Sequence, residues 1–254
     1  MRAFPVFSRD WLLTSSPSRR DGISLDQEKL CRRLYCALVD EAGKQLKLSM
    51  LCIATATVFC HRFYALRSLA RNDRLAVSAA CLLLGAKAEE APKPLRDVVR
   101  AVLCVRYKKA QGELDAVLAE LDAVCAAVAR AERALLYVLG FELNVMHPFK
   151  PLQSVLEAQR LARNAPFHAP TGTSMVPQTA WNFLVCSLHT QLCLQYSADQ
   201  IATAALFLAF EELKMPQLLV GGREWWSIGD STHPALSCEQ LLDICSQILE
   251  ASAA

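Results

Sequence analysis

The signatures that usually announce an enzyme are missing from this chain. It has no Gly-rich phosphate loop, no G-x-S-x-G elbow and no H-E-x-x-H pair, so the phosphoryl, acyl and zinc-hydrolytic chemistries those motifs serve find no residues to run on. Five histidines (His61, His147, His168, His189 and His233) stand far apart, and no two of the eleven cysteines share C-x-x-C spacing, which removes the usual patterns of a structural metal site. No uncharged apolar stretch approaches the ~18 residues of a membrane span, and the N-terminus, MRAFPVFSRDW, lacks the apolar run of a signal peptide. Neither sign of charge is in excess. Twenty-seven basic against 25 acidic residues leave a formal net charge of +2, too little for an electrostatic footprint on nucleic acid or an anionic membrane. These absences predict a soluble, intracellular protein that is not itself an enzyme, takes no cofactor or metal, and makes no direct contact with nucleic acid or membrane.

What is present is apolar. Hydrophobic residues make up 53% of the 254-residue chain and charged residues 20%, ample for one large core or two average ones. The cysteine number is odd, and most cysteines lie within apolar segments (Cys52, Cys60, Cys81, Cys125, Cys186, Cys193, Cys245). That placement predicts small buried thiols in a reducing compartment rather than a disulfide scaffold.

The stretch Asn72–Glu90, NDRLAVSAACLLLGAKAEE, is the natural hub. Almost every residue from Leu75 to Ala86 is apolar or small, which predicts a helix buried on most of its faces. Asn72 or Asp73 can cap its start, and Pro92 and Pro94 prevent its continuation. It ends in Lys87-Ala88-Glu89-Glu90, so an apolar rod delivers charge to its own end.

Residues 1–24 read as a tail or wrapping arm, with Ser16-Pro17 a phosphorylation candidate, Arg19-Arg20 a weak nuclear-import element and Arg9-Asp10-Trp11-Leu12 a weak degradation-type R-x-x-L. The plain reading of the basic pair is a solvated loop. From Leu25 the periodicity is helical. A first helix has Leu30, Leu34, Ala37, Leu38 and Ala42 on one face and is expected to end at Gly43 as a C-cap. Helices follow over about 49–69, 72–90, 95–105 and 114–139, five within a first unit spanning residues 25–145. After His147-Pro148 and Lys150-Pro151 a second unit, 146–254, shows helices over 152–163, 179–194, 198–213 and 237–251, with a loop over 166–177 and an irregular segment holding Gly221, Gly222, Trp225 and Trp226. Val77–Lys87 matches Ile201–Glu211 in size and polarity at nearly every step, which suggests duplication of a five-helix unit. The mismatch is terminal: Lys87 stands opposite Glu211. The expected fold is therefore all-α, two tandem five-helix bundles.

Two such units, with a central helix closing in Lys-x-Glu-Glu, resemble the two cyclin boxes of a cyclin. The resemblance is greatest to T-type cyclins, particularly the plant and algal form. It rests on Ser16-Pro17-Ser18-Arg19-Arg20-Asp21-Gly22-Ile23, IATATVFCHRFY (53–64), Ala70-Arg71-Asn72-Asp73-Arg74, Leu143 with His147-Pro148-Phe149-Lys150-Pro151-Leu152, Ala180-Trp181-Asn182-Phe183 and Trp225-Trp226. It implies a nuclear regulatory subunit that forms a heterodimer with a cyclin-dependent kinase of the transcription-elongation class and promotes phosphorylation of the RNA polymerase II C-terminal repeats. It also implies that Lys87 and Glu132 form the pair gripping the kinase's mobile helix, that Phe141 and Leu143 are apolar contacts, and that Glu90 lies on the same rim.

Other transcriptional cyclin types (K, L, C or Q) remain alternatives within the resemblance, as does a cyclin-fold general transcription factor, although the basic face and zinc ribbon expected of the latter are missing. The helix from Cys31 to Asp40 lacks the Met and Trp signature of the substrate-docking patch of cell-cycle cyclins. The chain ends about where a second box should end, so a long C-terminal tail is not expected. Trp225-Trp226 and His61-Arg62-Phe63-Tyr64 read as packing anchors with one polar end.

Overall fold

In the computed structural model the residues described are 4–107, 118–163, 175–217, 219–229 and 235–252. In chain order the helices are α1 Arg9–Thr14, α2 Pro17–Arg20, α3 Leu25–Gln45, α4 Met50–Leu66, α5 Arg74–Ala88, α6 Leu95–Tyr107, α7 Leu118–Leu139, α8 Phe149–Arg163, α9 Val176–Ser187, α10 Ala198–Glu212 and α11 Cys238–Ser252. One antiparallel hairpin, β1 Leu219–Val220 and β2 Arg223–Glu224, turns through Gly221 and Gly222, both at positive φ as a two-residue hairpin turn requires. The chain divides into two units, Met1–Val145 and Met146–Ala254, each with its own apolar core. His168, His233, most of the loop expected over 166–177 and the beginning of the helix expected near Leu114 lie outside the described residues.

Helix α5 is the hub of the first unit. Asp73, rather than Asn72, caps it by accepting from the Ala76 N–H at 2.9 Å, and every residue from Ala76 to Ala86 is buried. Helices α3, α4, α6 and α7 surround it. Gly85 lets α4 approach closely: a Cβ there would lie 3.0 Å from the Ala56 nitrogen and 3.2 Å from its Cα.

Two expectations for α3 are corrected. Gly43 is not a C-cap; the helix runs on to Gln45, and Gly43 is buried so close to Ile53 that a Cβ would meet its Cγ1 at 2.6 Å. The cap residue in left-handed conformation is Lys47, where the Leu48 N–H reaches back to the Gly43 carbonyl. The buried face is also differently phased. It carries Glu28, Tyr35, Cys36, Val39 and Ala42, while Leu30 and Leu34 are 49% and 44% exposed. Both phases satisfy a 3.6-residue period. The polar members decide between them, because the Tyr35 hydroxyl bonds His61 Nδ1 at 2.7 Å and Glu28 accepts from Ser16 at 3.1 Å.

The N-terminal arm is docked, not solvated. Leu12, Ser16 and Ser18 are buried. Ser16 caps α2 and donates to Glu28, Ser18 Oγ accepts from the Leu69 N–H at 3.0 Å, and Asp21 pairs with Arg71 at 2.6 Å. A kinase therefore finds no free hydroxyl at Ser16, and burial of Leu12 within α1 hides the R-x-x-L segment.

The second unit repeats the plan around α10, with α8, α9 and α11 packed on it. Helices α5 and α10 both have fifteen residues and are both capped by a side chain, Asp73 and Ser197. Both end with a residue at positive φ, Glu90 and Lys214, at one constant offset. Among the described residues the second unit has four α-helices; the hairpin and the 3-10 turn Trp225–Ser227 take the place in chain order that α6 takes in the first. Helix α9 stops at Ser187, short of the expected Leu194, in a turn where Thr190 Oγ donates to the Ser187 carbonyl. Trp225 and Trp226 are packing anchors, edge-on to Phe210 and Phe207, and the Trp225 indole donates to Gln217 at 2.9 Å.

Candidate functional site

Lys87 sits in the last turn of α5, where a cation complements the negative end of the helix. Its ammonium donates to Glu132 Oε1 on α7 at 2.7 Å, joining residues 45 positions apart. The lysine side chain is 47% exposed and the glutamate 18%. The pair is thus built before any partner arrives, and the ammonium keeps two further donors and the carboxylate a second oxygen.

The turn after Lys87 is fixed by backbone bonding. The Glu90 N–H reaches the Lys87 carbonyl and the Ala91 N–H the Ala86 carbonyl, a Schellman closure that places Glu90 at φ 55. Glu90 is exposed. Its neighbour Glu89, which the sequence did not single out, is tied inward by the Thr55 hydroxyl at 2.7 Å.

The end of α7 closes in the same way. Gly140 N–H bonds the Tyr137 carbonyl and Phe141 N–H the Leu136 carbonyl, with Gly140 at φ 60 and Phe141 at φ 61. Glycine adopts that conformation freely; for a bulky residue it costs about 1–3 kcal/mol. Phe141 is nevertheless 58% exposed and lies edge-on to the ring of Tyr137, at 6.0 Å, itself 76% exposed. Burial in the free protein does little to offset that strain, which marks Phe141 as a candidate contact. Tyr137 was legible in principle, since it falls off the buried stripe of Leu121, Val128, Leu135 and Leu139. Leu143 behaves otherwise: it is partly buried against the first core, so it anchors the segment that carries Phe141.

Among the described residues no three His, Cys, Asp or Glu side chains gather as metal ligands, and no helix is long and apolar enough to cross a membrane. All eleven cysteines are free thiols. Burial raises the pKa of Cys60, Cys104, Cys125, Cys186 and Cys245, the last to about 12, the reverse of what activates a cysteine nucleophile.

Comparison with known proteins bears on the family and the fold. The family model described as cyclin, N-terminal domain, matches residues 13–144. Cyclin-T1-3 of Oryza sativa subsp. japonica is 37% identical over 246 residues, 96% of this chain and 47% of that protein. Cyclin-T1-5 of Arabidopsis thaliana is 37% identical, again over 96% of this chain and 40% of its own length. The chain therefore spans less than half the length of these relatives. Among solved structures, a chain of the yeast RNA Pol II CTD kinase CTDK-1 complex superposes with a TM-score of 0.73 at 18% identity, covering 97% of this chain and 72% of that one. A chain of the CAK complex of Chaetomium thermophilum bound to ATP-gamma-S gives 0.62 at 22% identity, over 83% and 66%. At such identities these two show the fold alone. With the family model covering the first unit and the T-type relatives covering nearly the whole chain, this protein belongs to the cyclin family, among its T-type members.

Proposed function

We propose that the protein is the regulatory subunit of a heterodimer with a cyclin-dependent kinase of the transcription-elongation class, that it acts in the nucleus, and that it promotes phosphorylation of the RNA polymerase II C-terminal repeats while doing no phosphoryl chemistry itself. The observation that carries the reading is the Lys87–Glu132 pair, formed at 2.7 Å and still open to further bonding. Its donors and acceptors match the backbone groups at the end of a docked helix, and exclusion of water on docking strengthens such contacts beyond their surface worth. Phe141, exposed on the same unit, supplies apolar area. A protein kinase needs its own lysine and helix glutamate paired before it can position ATP, so a subunit that binds only the helix-in state shifts the population toward activity.

The test is a titration of a purified elongation-class kinase, read as affinity and as phosphorylation of a C-terminal repeat peptide. Lys87→Ala or Glu132→Ala should each weaken binding by about 2 kcal/mol, roughly 30-fold. If the double variant binds and activates like the parent, Lys87 and Glu132 are not the site. Pull-down of kinases from the source cells, identified by mass spectrometry, names the partner.

A further inference from the structure

The segment that presents Phe141 is held from outside its own helix. Arg62 of α4, half-buried, donates from Nη1 to the Glu142 carbonyl at 3.4 Å. The same guanidinium lies over the ring of Phe4, 4.9 Å from the centroid, within reach of cation–π attraction. Phe4 packs on the first core and begins a run of rings: Phe4 to Phe7 at 6.2 Å, then Phe7 stacked on Trp11 at 4.7 Å. Trp11 lies in α1, whose N-cap Ser8 accepts from the Trp11 N–H. Beyond it the arm is fastened by Leu12, Ser16, Ser18 and Asp21 as described. An unbroken chain of contacts therefore runs from the docked arm through Phe4 and Arg62 to the carbonyl next to Phe141.

We propose that Phe4 and Arg62 are positioning residues of the kinase-binding surface: the N-terminal arm fixes the guanidinium, and the guanidinium fixes the segment 140–144 so that Phe141 is presented in its left-handed conformation before the kinase arrives. The inference rests on the reading of Phe141 as a kinase contact. The physical reason is preorganisation. A residue in a sparsely populated conformation relaxes unless its surroundings over-determine it, and a contact that must be ordered during binding weakens binding by that ordering. Within the segment, Leu143 and Val145 pack on the core and Glu142 Oε1 accepts from the Asn144 N–H at 3.2 Å; Arg62 supplies the fastening to the Glu142 carbonyl.

Two measurements on the whole chain separate this proposal from the functional reading. Hydrogen exchange of the free protein reads the coupling without any kinase. In Phe4→Leu, which keeps apolar volume and removes the ring, and in Arg62→Gln, the amides of Phe141, Glu142 and Asn144 should exchange three- to ten-fold faster, while those of α5 stay unchanged. Phe4→Tyr should restore the parent rates. Titration with the kinase then reads the consequence: Phe4→Leu and Arg62→Gln should bind three- to ten-fold more weakly through faster dissociation, with Phe4→Tyr again at the parent value. Unchanged exchange at 141–144 in both variants overturns the proposal whatever the kinase does. Faster exchange with parent-like kinase binding also overturns it, leaving a structural contact only. Parent-like binding by the Lys87 and Glu132 variants overturns that site assignment while leaving the exchange measurement free to decide the coupling.

Discussion

Glu28 and Asp21 secure the same arm, with pKa values displaced in opposite directions. Glu28 is buried, and desolvation pushes its pKa above the ordinary 4.5 despite the Arg32 guanidinium at 3.8 Å. A carboxyl with a raised folded pKa contributes stability that is present below its unfolded value and lost as pH rises through the folded one. The melting temperature of the parent relative to Glu28→Gln should therefore fall from about pH 4 towards pH 7, measured by calorimetry across that range. Asp21 is held below the ordinary 3.8, first by the Ser68 hydroxyl and then by Arg71. Its contribution is present above the unfolded value and disappears as pH falls through the folded one, so the deficit of Asp21→Asn should shrink as pH falls below the ordinary 3.8. Ser18 needs no charge to matter. Ser18→Ala leaves the Leu69 N–H without its acceptor, at a cost of about 1–3 kcal/mol, and should open the arm to limited proteolysis.

Helix limits in this protein have local causes, whereas helix contacts do not. Ser24 and Ser197 build capping boxes with Gln27 and Gln200, and prolines follow the end of α5, so these limits were readable, unlike the ends of α3 and α9. Gly85 is different. Alanine favours a helix by nearly 1 kcal/mol over glycine, yet at this position its Cβ would strike the backbone of Ala56. Gly85→Ala should destabilise the first unit by about 1–3 kcal/mol in urea unfolding. Gly43→Ala brings a Cβ to 2.6 Å from Cγ1 of the buried, β-branched Ile53, a side chain with little freedom to turn, and its loss should be at least as large. The residue at the equivalent offset in the second hub is Ala209, fully buried.

At the scale of the whole molecule, two similar units share a hub and differ in what the hub carries at its end. The first closes with Lys87 and Glu90, the second with Glu211 and Lys214, the same two charges exchanged. Glu211 is engaged locally, accepting from the Gln217 amide at 2.7 Å. Because the kinase reading depends on the lysine being held by Glu132 and on Phe141 in the same unit, Glu211→Lys should leave kinase affinity unchanged in the titration that detects Lys87→Ala.

The sequence by itself determined the all-α class and the hub helix, since apolar periodicity, caps and breakers act within a few residues, whereas Lys87, Glu132 and Phe141 were singled out only through the resemblance to cyclins. It could not choose the buried face of α3, because two phases of one period satisfy the same pattern until Tyr35 finds His61 and Glu28 finds Ser16. Nor could it show that Ser16 is buried or that Gly43 makes room for Ile53. Only the tertiary structure decided these. Each depends on groups far apart in the chain meeting within a few ångströms, and the hydrogen bonds and packing that select among locally equivalent alternatives exist only once the helices have docked.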